Sequence, residues 1–138
     1  MRAMQVTAYD DPLTLQELEM PMPGQGEVLI QVDTCGLNFG DLLIIKGTYQ
    51  EKPPLPFTLG MEMAGTITAL GEGVDGLKVG QRVAAYTGFN GLAEYAAIPA
   101  AVCVPIPEEM TAVDAAAFLI AYGTSHVALD YKARLQPG

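Results

Sequence analysis

Residues 34–66 read TCGLNFGDLLIIKGTYQEKPPLPFTLGMEMAGT. Four polar side chains, Asn38, Asp41, Tyr49 and Glu62, lie within 25 residues of one another in this stretch. Glycines flank them, and glycine lets the backbone approach a ligand or a neighbouring strand closely. Such a concentration of polar groups, in a chain whose other segments are typical of scaffold, predicts that the functional site is built from this stretch.

Three of these side chains also have ordinary structural explanations. Asn38 is a favourable helix N-cap, and Asp41 would then occupy the third helical position, where a carboxylate stabilises the helix N-terminus. A loop tyrosine such as Tyr49 commonly packs its ring and leaves its hydroxyl in water. The residues alone leave a structural and a functional role open for all three.

Most of the chain before Thr111 consists of short apolar segments separated by Gly and Pro. In one of them Val28, Ile30 and Val32 share a face, which is the period of a half-buried strand. Many short strands with such turns predict a small β-barrel or sandwich.

The composition changes at Thr111. From there to Leu135 no proline occurs and alanine is abundant, which predicts helices, with Gly123 separating or kinking two of them. We therefore divide the chain into a β domain, residues 1–110, and a helical segment, residues 111–138.

The formal charge of −9 argues against a nucleic-acid partner, because the phosphates would be repelled. The longest unbroken apolar run, Ala115 to Ala121, has seven residues and is too short to span a membrane. No signal-peptide core follows Met1. We expect a cytoplasmic protein without a membrane partner, in which Cys35 and Cys103 are isolated buried thiols.

Several spaced motifs occur in a defined order: GLNFGD at 36–41, GTY at 47–49 and PFTLGMEMAG at 56–65. They resemble the pattern G-x-N-x-x-D, G-x-Y, P-x-x-x-G-x-E-x-x-G of the medium-chain dehydrogenase/reductase superfamily, in its zinc-free branch of quinone oxidoreductases and zeta-crystallin-like enzymes. Several motifs in the correct order are far more specific than one motif alone.

The resemblance implies a mainly β fold with C-terminal helices, namely the GroES-like small β-barrel that forms the N-terminal catalytic domain of the family. The 138 residues would be well under half of a typical member. In the family a Pro-Gly pair such as Pro137-Gly138 leads into a Rossmann domain with its Gly-rich dinucleotide loop. No such loop occurs in this sequence, so we expect the Rossmann domain to be absent from the chain.

The function implied for the full-length protein is an NADPH-dependent oxidoreductase that reduces small-molecule quinones, enones or similar conjugated carbonyl compounds. The absent domain would make most NADPH contacts, so the chain alone is expected to be inactive. Apolar positions from Ala115 to Ile120, which family members partly cover with the Rossmann domain, predict a homo-oligomer.

The resemblance also implies roles for individual residues. Asn38, Asp41 and Tyr49 would be catalytic, and Asn38 and Thr124 would contact the cofactor. Thr124 could equally bond the backbone of its own helix. Glu62, in the absence of a metal, is expected to form a structural ion pair.

Zinc members of the superfamily have a cysteine where this chain has Asn38 and a His-Glu pair where it has Met61-Glu62. Catalytic zinc needs three good protein ligands, and neither an amide nor a thioether is one. The chain's single histidine, His126, lies in a predicted helix away from these positions. We therefore expect no metal site.

Two alternatives to a quinone reductase stay open. One is a zinc-free 2-enoyl thioester reductase, which would need a larger pocket with a basic rim and is disfavoured by the scarcity of Lys and Arg. The other is a stand-alone barrel that acts as a binding or assembly module.

Overall fold

The computed structural model describes residues 1–136. Within them the chain forms eight strands, two helices, a short 3-10 turn at Ala100–Val102 and a π-helical segment. The elements in chain order are β1 (Arg2–Val6), β2 (Thr14–Glu17), β3 (Glu27–Gly36), α1 (Phe39–Ile45), β4 (Phe57–Thr58), β5 (Glu62–Leu70), β6 (Arg82–Tyr86), β7 (Tyr95–Pro99), β8 (Cys103–Pro105), α2 (Ala112–His126) and the π-helical segment Val127–Lys132.

The strands form two antiparallel sheets, one with the order β2-β1-β4 and one with the order β7-β3-β5-β6-β8. Backbone hydrogen bonds join the two sheets near β1, where the N–H of Met4 donates to the carbonyl oxygen of Leu92 at 2.8 Å. The predicted mainly β class with C-terminal helical structure is confirmed. Because all strand pairs among residues 1–136 are antiparallel, this part of the chain contains no Rossmann unit.

Strand β5 lies at the centre of the fold and is buried on both faces at its start. On one face Met63 and Ile67 pack in the main core with Val28 and Ile30 of β3. On the other face Ala64 packs under α2. A strand that is covered on both sides does not alternate in polarity, so the buried start of β5 shows no strand period in the sequence.

Helix α2 packs on the sheet through small residues near its N-terminus. Thr111 caps the helix by accepting a hydrogen bond from the N–H of Asp114 at 3.1 Å. Ala115 and Ala116 are buried against Ala64 and Ala84. The rest of the helix is largely exposed.

The C-terminal helical structure departs from two expectations. Gly123 does not separate two helices, since α2 runs through it to His126 and the π-helical segment follows. By length and composition, the 21 residues Ala112–Lys132 could cross a membrane, although the longest unbroken apolar run is much shorter. The helix is longer than the unbroken apolar run because it continues through isolated polar residues such as Asp114, which interrupt the run in the sequence. Pro137-Gly138, for which the lead into a Rossmann domain is expected, lies outside the described residues.

Candidate functional site

Asn38 lies at the N-cap of α1, where the backbone leaves its extended conformation. The Oδ2 atom of Asp41 accepts a hydrogen bond from the backbone N–H of Asn38 at 2.8 Å, as in the predicted cap. The side chain of Asn38 has another partner, because its Nδ2 donates to Oε1 of Glu62 at 2.9 Å. The cap and the contact with Glu62 therefore use different atoms of the same residue.

Glu62 is 3% exposed and joins α1 to α2. Its Oε2 atom accepts a hydrogen bond from the backbone N–H of Ile120 at 2.9 Å, in the middle of α2. The expectation of an ion pair is wrong, since among residues 1–136 no lysine or arginine contacts this carboxyl group. The Asn38 amide and the Ile120 backbone N–H donate hydrogen bonds to it instead.

Gly36 provides the space that Glu62 occupies. A Cβ atom at this position would lie 2.6 Å from Oε1 of Glu62 and 2.9 Å from the carbonyl oxygen of Ala116. Any larger residue would displace either the carboxyl group or the helix backbone.

Asp41 is 2% exposed, and its Oδ1 atom has no hydrogen-bond partner. Burial raises the pKa of this carboxyl above its ordinary value of 3.8, and the charge of Glu62 adds to the shift. The N–H groups of Asn38, Gly60 and Met61 oppose it, although only that of Asn38 reaches hydrogen-bond geometry. Asp41 lies behind the site rather than on its surface.

A cavity of about 700 Å³ opens between α1, β6 and α2. Three of the four predicted site residues, Asn38, Tyr49 and Thr124, line it together, and Asp41 does not. The remaining lining is mostly apolar, and consists of Phe39, Gly40, Leu43, Met61, Tyr86, Leu119, Ile120, Gly123, Val127, Ala128 and Lys132. The cavity is large enough for a flat aromatic ring and a small substrate.

Sequence reasoning missed Tyr86 and Lys132 as lining residues. Tyr86 ends β6 directly opposite Glu62 in the strand register, a pairing that links residues 24 positions apart in the chain. Burial, followed by the influence of Tyr49 and nearby carboxylates, raises the pKa of the Tyr86 phenol, so it stays protonated and can donate a hydrogen bond at neutral pH. No local pattern signals either residue.

Thr124 lies on the exposed side of α2 that faces the cavity. In residues 1–136 its hydroxyl makes no hydrogen bond to its own helix, whereas the neighbouring Ser125 hydroxyl donates to the carbonyl oxygen of Ala121 at 2.9 Å. The hydroxyl of Thr124 is therefore available to a ligand.

Among residues 1–136 no three His, Cys, Asp or Glu side chains come together as a metal would require. The nearby thiol of Cys35 has its pKa raised to about 12 by burial and by the charges of Asp41 and Glu62. In the metal-free protein this thiol therefore stays protonated at neutral pH.

The alcohol dehydrogenase GroES-like domain family matches residues 24–108. The sequence is 42% identical over 137 residues to quinone oxidoreductase-like protein 2 of Mus musculus, an alignment that covers 99% of this chain and 39% of that protein.

Several solved structures match the whole chain. Human synaptic vesicle membrane protein VAT-1 homolog-like protein superposes with a TM-score of 0.95 at 36% identity, and the match covers 100% of this chain and 45% of that one. The quinone oxidoreductase of Thermus thermophilus, solved also in complex with NADPH, superposes with a TM-score of 0.87 at 35% identity, covering 100% of this chain and 43% of that one. The chain spans less than half the length of each of these relatives.

Proposed function

The chain belongs to the alcohol dehydrogenase GroES-like domain family, within the medium-chain dehydrogenase/reductase superfamily of oxidoreductases, and on this basis we propose that it forms the catalytic domain of an NADPH-dependent, zinc-free reductase for quinones or conjugated carbonyl compounds. The observation that carries the proposal is the apolar cavity that Asn38, Tyr49 and Thr124 line together. Most of the cofactor would bind a second, dinucleotide-binding domain, so these residues alone should not turn over NADPH.

The cavity fits a nicotinamide ring. Leu119, Ile120 and Met61 offer an apolar wall for the ring face, and the Asn38 amide and the Thr124 hydroxyl offer polar partners for its carboxamide. When bound, the nicotinamide supplies the hydride. The phenols of Tyr49 and Tyr86 lie on the same cavity and would donate hydrogen bonds to the substrate oxygen that gains negative charge.

The proposed absence of zinc rests on the chemistry of the residues present. The Nδ2 atom of Asn38 is occupied by Glu62, Met61 supplies a thioether, and both oxygens of Glu62 accept other hydrogen bonds. None of these groups fits a catalytic zinc ion. We expect metal analysis of the protein, purified without a histidine tag, to find well below one zinc per chain, and near-stoichiometric zinc that resists chelation would contradict the assignment.

We further propose that the protein is cytoplasmic and that it self-associates. A cytoplasmic location fits an enzyme that acts on small soluble substrates. Self-association fits the apolar side chains that α2 exposes. The apolar length of residues 112–132 makes fractionation of expressing cells the direct check of the location. Recovery in the membrane fraction after a salt wash would overturn it.

Steady-state kinetics of the complete protein with NADPH and a quinone test the proposed site. Asn38→Ala and Tyr49→Phe should each lower kcat/KM by at least about tenfold, a typical loss for a positioning or proton-donating group. Asp41→Ala should lower kcat/KM through displaced neighbours. Tyr95→Phe is the matched control, since that tyrosine does not line the cavity. Wild-type kcat/KM in all the site variants, at a temperature where each is folded, would refute the assignment.

A further inference from the structure

Glu62 is a buried carboxyl group that the proposed reaction does not use directly. Its carboxyl group touches two walls of the cavity at once, through Nδ2 of Asn38 at 2.9 Å and the N–H of Ile120 at 2.9 Å. Asn38 and Ile120 themselves line the cavity. Glu62 is therefore placed to control how both walls face a ligand without touching the ligand itself.

The carboxyl group also dictates the orientation of the Asn38 amide. An amide has a donor end, Nδ2, and an acceptor end, Oδ1. With Nδ2 toward Glu62, a hydrogen bond forms, whereas the flipped amide would bring two oxygen atoms together at hydrogen-bond distance in a partly buried place. Oδ1 faces the backbone N–H of Asp41 as in a capping box, yet no side-chain hydrogen bond of ordinary geometry forms there, so Oδ1 is the polar atom that the side chain has left to offer.

We propose that Glu62 is a positioning residue that holds the Asn38 amide with Oδ1 toward the cavity, so that the site accepts a hydrogen bond from an N–H donor on its ligand. Under the proposed function, on which this identification rests, the donor is the carboxamide NH₂ of the nicotinamide. The site thereby distinguishes a carboxamide from a group of the same shape that has a carbonyl but no N–H.

Replacing one oxygen of Glu62 reverses this polarity. In Glu62→Gln the N–H of Ile120 is a fixed donor, so the introduced glutamine must turn its oxygen toward α2 and its NH₂ toward Asn38. Asn38 then flips and presents Nδ2 to the cavity. Adding Asn38→Asp restores an acceptor on both sides, because one aspartate oxygen accepts from the glutamine and the other faces the cavity.

The first measurement needs no ligand and uses the 138-residue chain. In nitrogen-15 NMR the side-chain NH₂ protons of Asn38 should exchange slowly with water in the wild type, and at least about tenfold faster in Glu62→Gln, where they face the cavity. The melting temperature of the Glu62→Gln/Asn38→Asp double variant should exceed the value expected from adding the two single changes, because Asn38→Asp alone sets two carboxylates together. Unchanged exchange, or additive melting temperatures, would overturn the proposal.

The second measurement uses the complete protein with two probes, NADPH and its reduced 3-acetylpyridine analogue, in which a methyl group replaces the carboxamide NH₂. The wild type should bind NADPH more tightly by about tenfold, the expected value of one hydrogen bond to a buried acceptor. Glu62→Gln should lose this preference and the double variant should regain it. An equal preference in wild type and Glu62→Gln would refute the role of Glu62.

The two measurements separate this inference from the proposed function. If exchange and melting temperatures behave as expected but neither probe binds, the positioning role of Glu62 stands and the proposed cofactor is wrong. If both probes bind with the wild-type preference in every variant, the cofactor is right and Glu62 does not orient Asn38.

Discussion

Asp41 and Glu62 are two buried carboxyl groups on one side of the cavity, and they differ in how their oxygens are satisfied. Both oxygens of Glu62 accept hydrogen bonds, whereas Oδ1 of Asp41 has none. An unpartnered buried carboxylate oxygen costs free energy of folding, of the order of 1–3 kcal/mol. The surroundings of Asp41 therefore disfavour the ionised form of its carboxyl group.

This predicts a distinct pH dependence for Asp41. Its pKa is raised in the folded protein above its ordinary value of 3.8, so the native state binds the proton more tightly than the unfolded chain does. The stabilising contribution is therefore present below the ordinary value and is lost as pH rises through the raised pKa. Asp41→Asn has no group to titrate here, so it should not show this loss. The stability of the variant relative to the wild type should therefore increase as the pH rises from about 4 to about 7.

Urea unfolding of both proteins at several pH values measures this difference. Asp33→Asn is the control for removing an exposed carboxyl group from β3. A difference between Asp41→Asn and wild type that does not vary with pH would contradict the shifted pKa.

At the scale of elements, the contact between β3 and β5 depends on Gly65. A Cβ atom at this position would overlap the carbonyl oxygen of Gln31 on the neighbouring strand. The two strands are also irregular here, with a register shift between Val32 and Thr34. The central strand pair, and with it the position of Glu62, thus requires a residue without a side chain.

Two Gly→Ala variants form a matched pair on this point. Gly65→Ala should destabilise the fold by about 1–3 kcal/mol or more, as overpacking does. Gly123→Ala, in the interior of α2 with no atom within 4 Å of the new Cβ, should stabilise it by up to about 1 kcal/mol through helix propensity. Chemical denaturation measures both, and destabilisation by Gly123→Ala would show that the helix is not intact at that point.

At the scale of the whole molecule, α2 and the π-helical segment expose several large apolar side chains to water. Phe118 and Tyr122 stack on each other with ring centroids 4.8 Å apart. The exposed apolar residues of these two elements include Val113, Phe118, Tyr122, Val127, Leu129 and Tyr131. Exposed apolar area on this scale favours association.

The chain alone should therefore self-associate, as a dimer or a larger species. Tyr122→Ser combined with Val127→Ser should shift it toward monomer by removing exposed apolar area from the C-terminal helical structure. Leu15→Ser, which removes a leucine on β2 that is equally exposed, should not. Light scattering across a concentration series decides this, and a wild-type chain that stays monomeric at every concentration would contradict the expectation.

Local sequence patterns were enough to predict the fold class, and they pointed to a stretch that contributes to the cavity. Alternating apolar residues between Gly and Pro turns are a local signal for strands, and the loss of proline after Thr111 is a local signal for a helix. The ordered motifs around Asn38 and Tyr49 lie in a stretch that contributes part of the cavity lining. These properties are readable because each depends on residues a few positions apart.

The roles of the polar groups, in contrast, follow from contacts that exist only in the folded chain. Glu62 meets Asn38 and Ile120, which lie 24 and 58 positions away in the chain, and Tyr86 joins the cavity through the register of β5 and β6. Folding also buries Asp41 behind the cavity, whereas the motif had suggested that it would line the site. Hydrogen bonds and burial depend on distances in space, and a chain fixes those distances only when its sheets and helices have packed together.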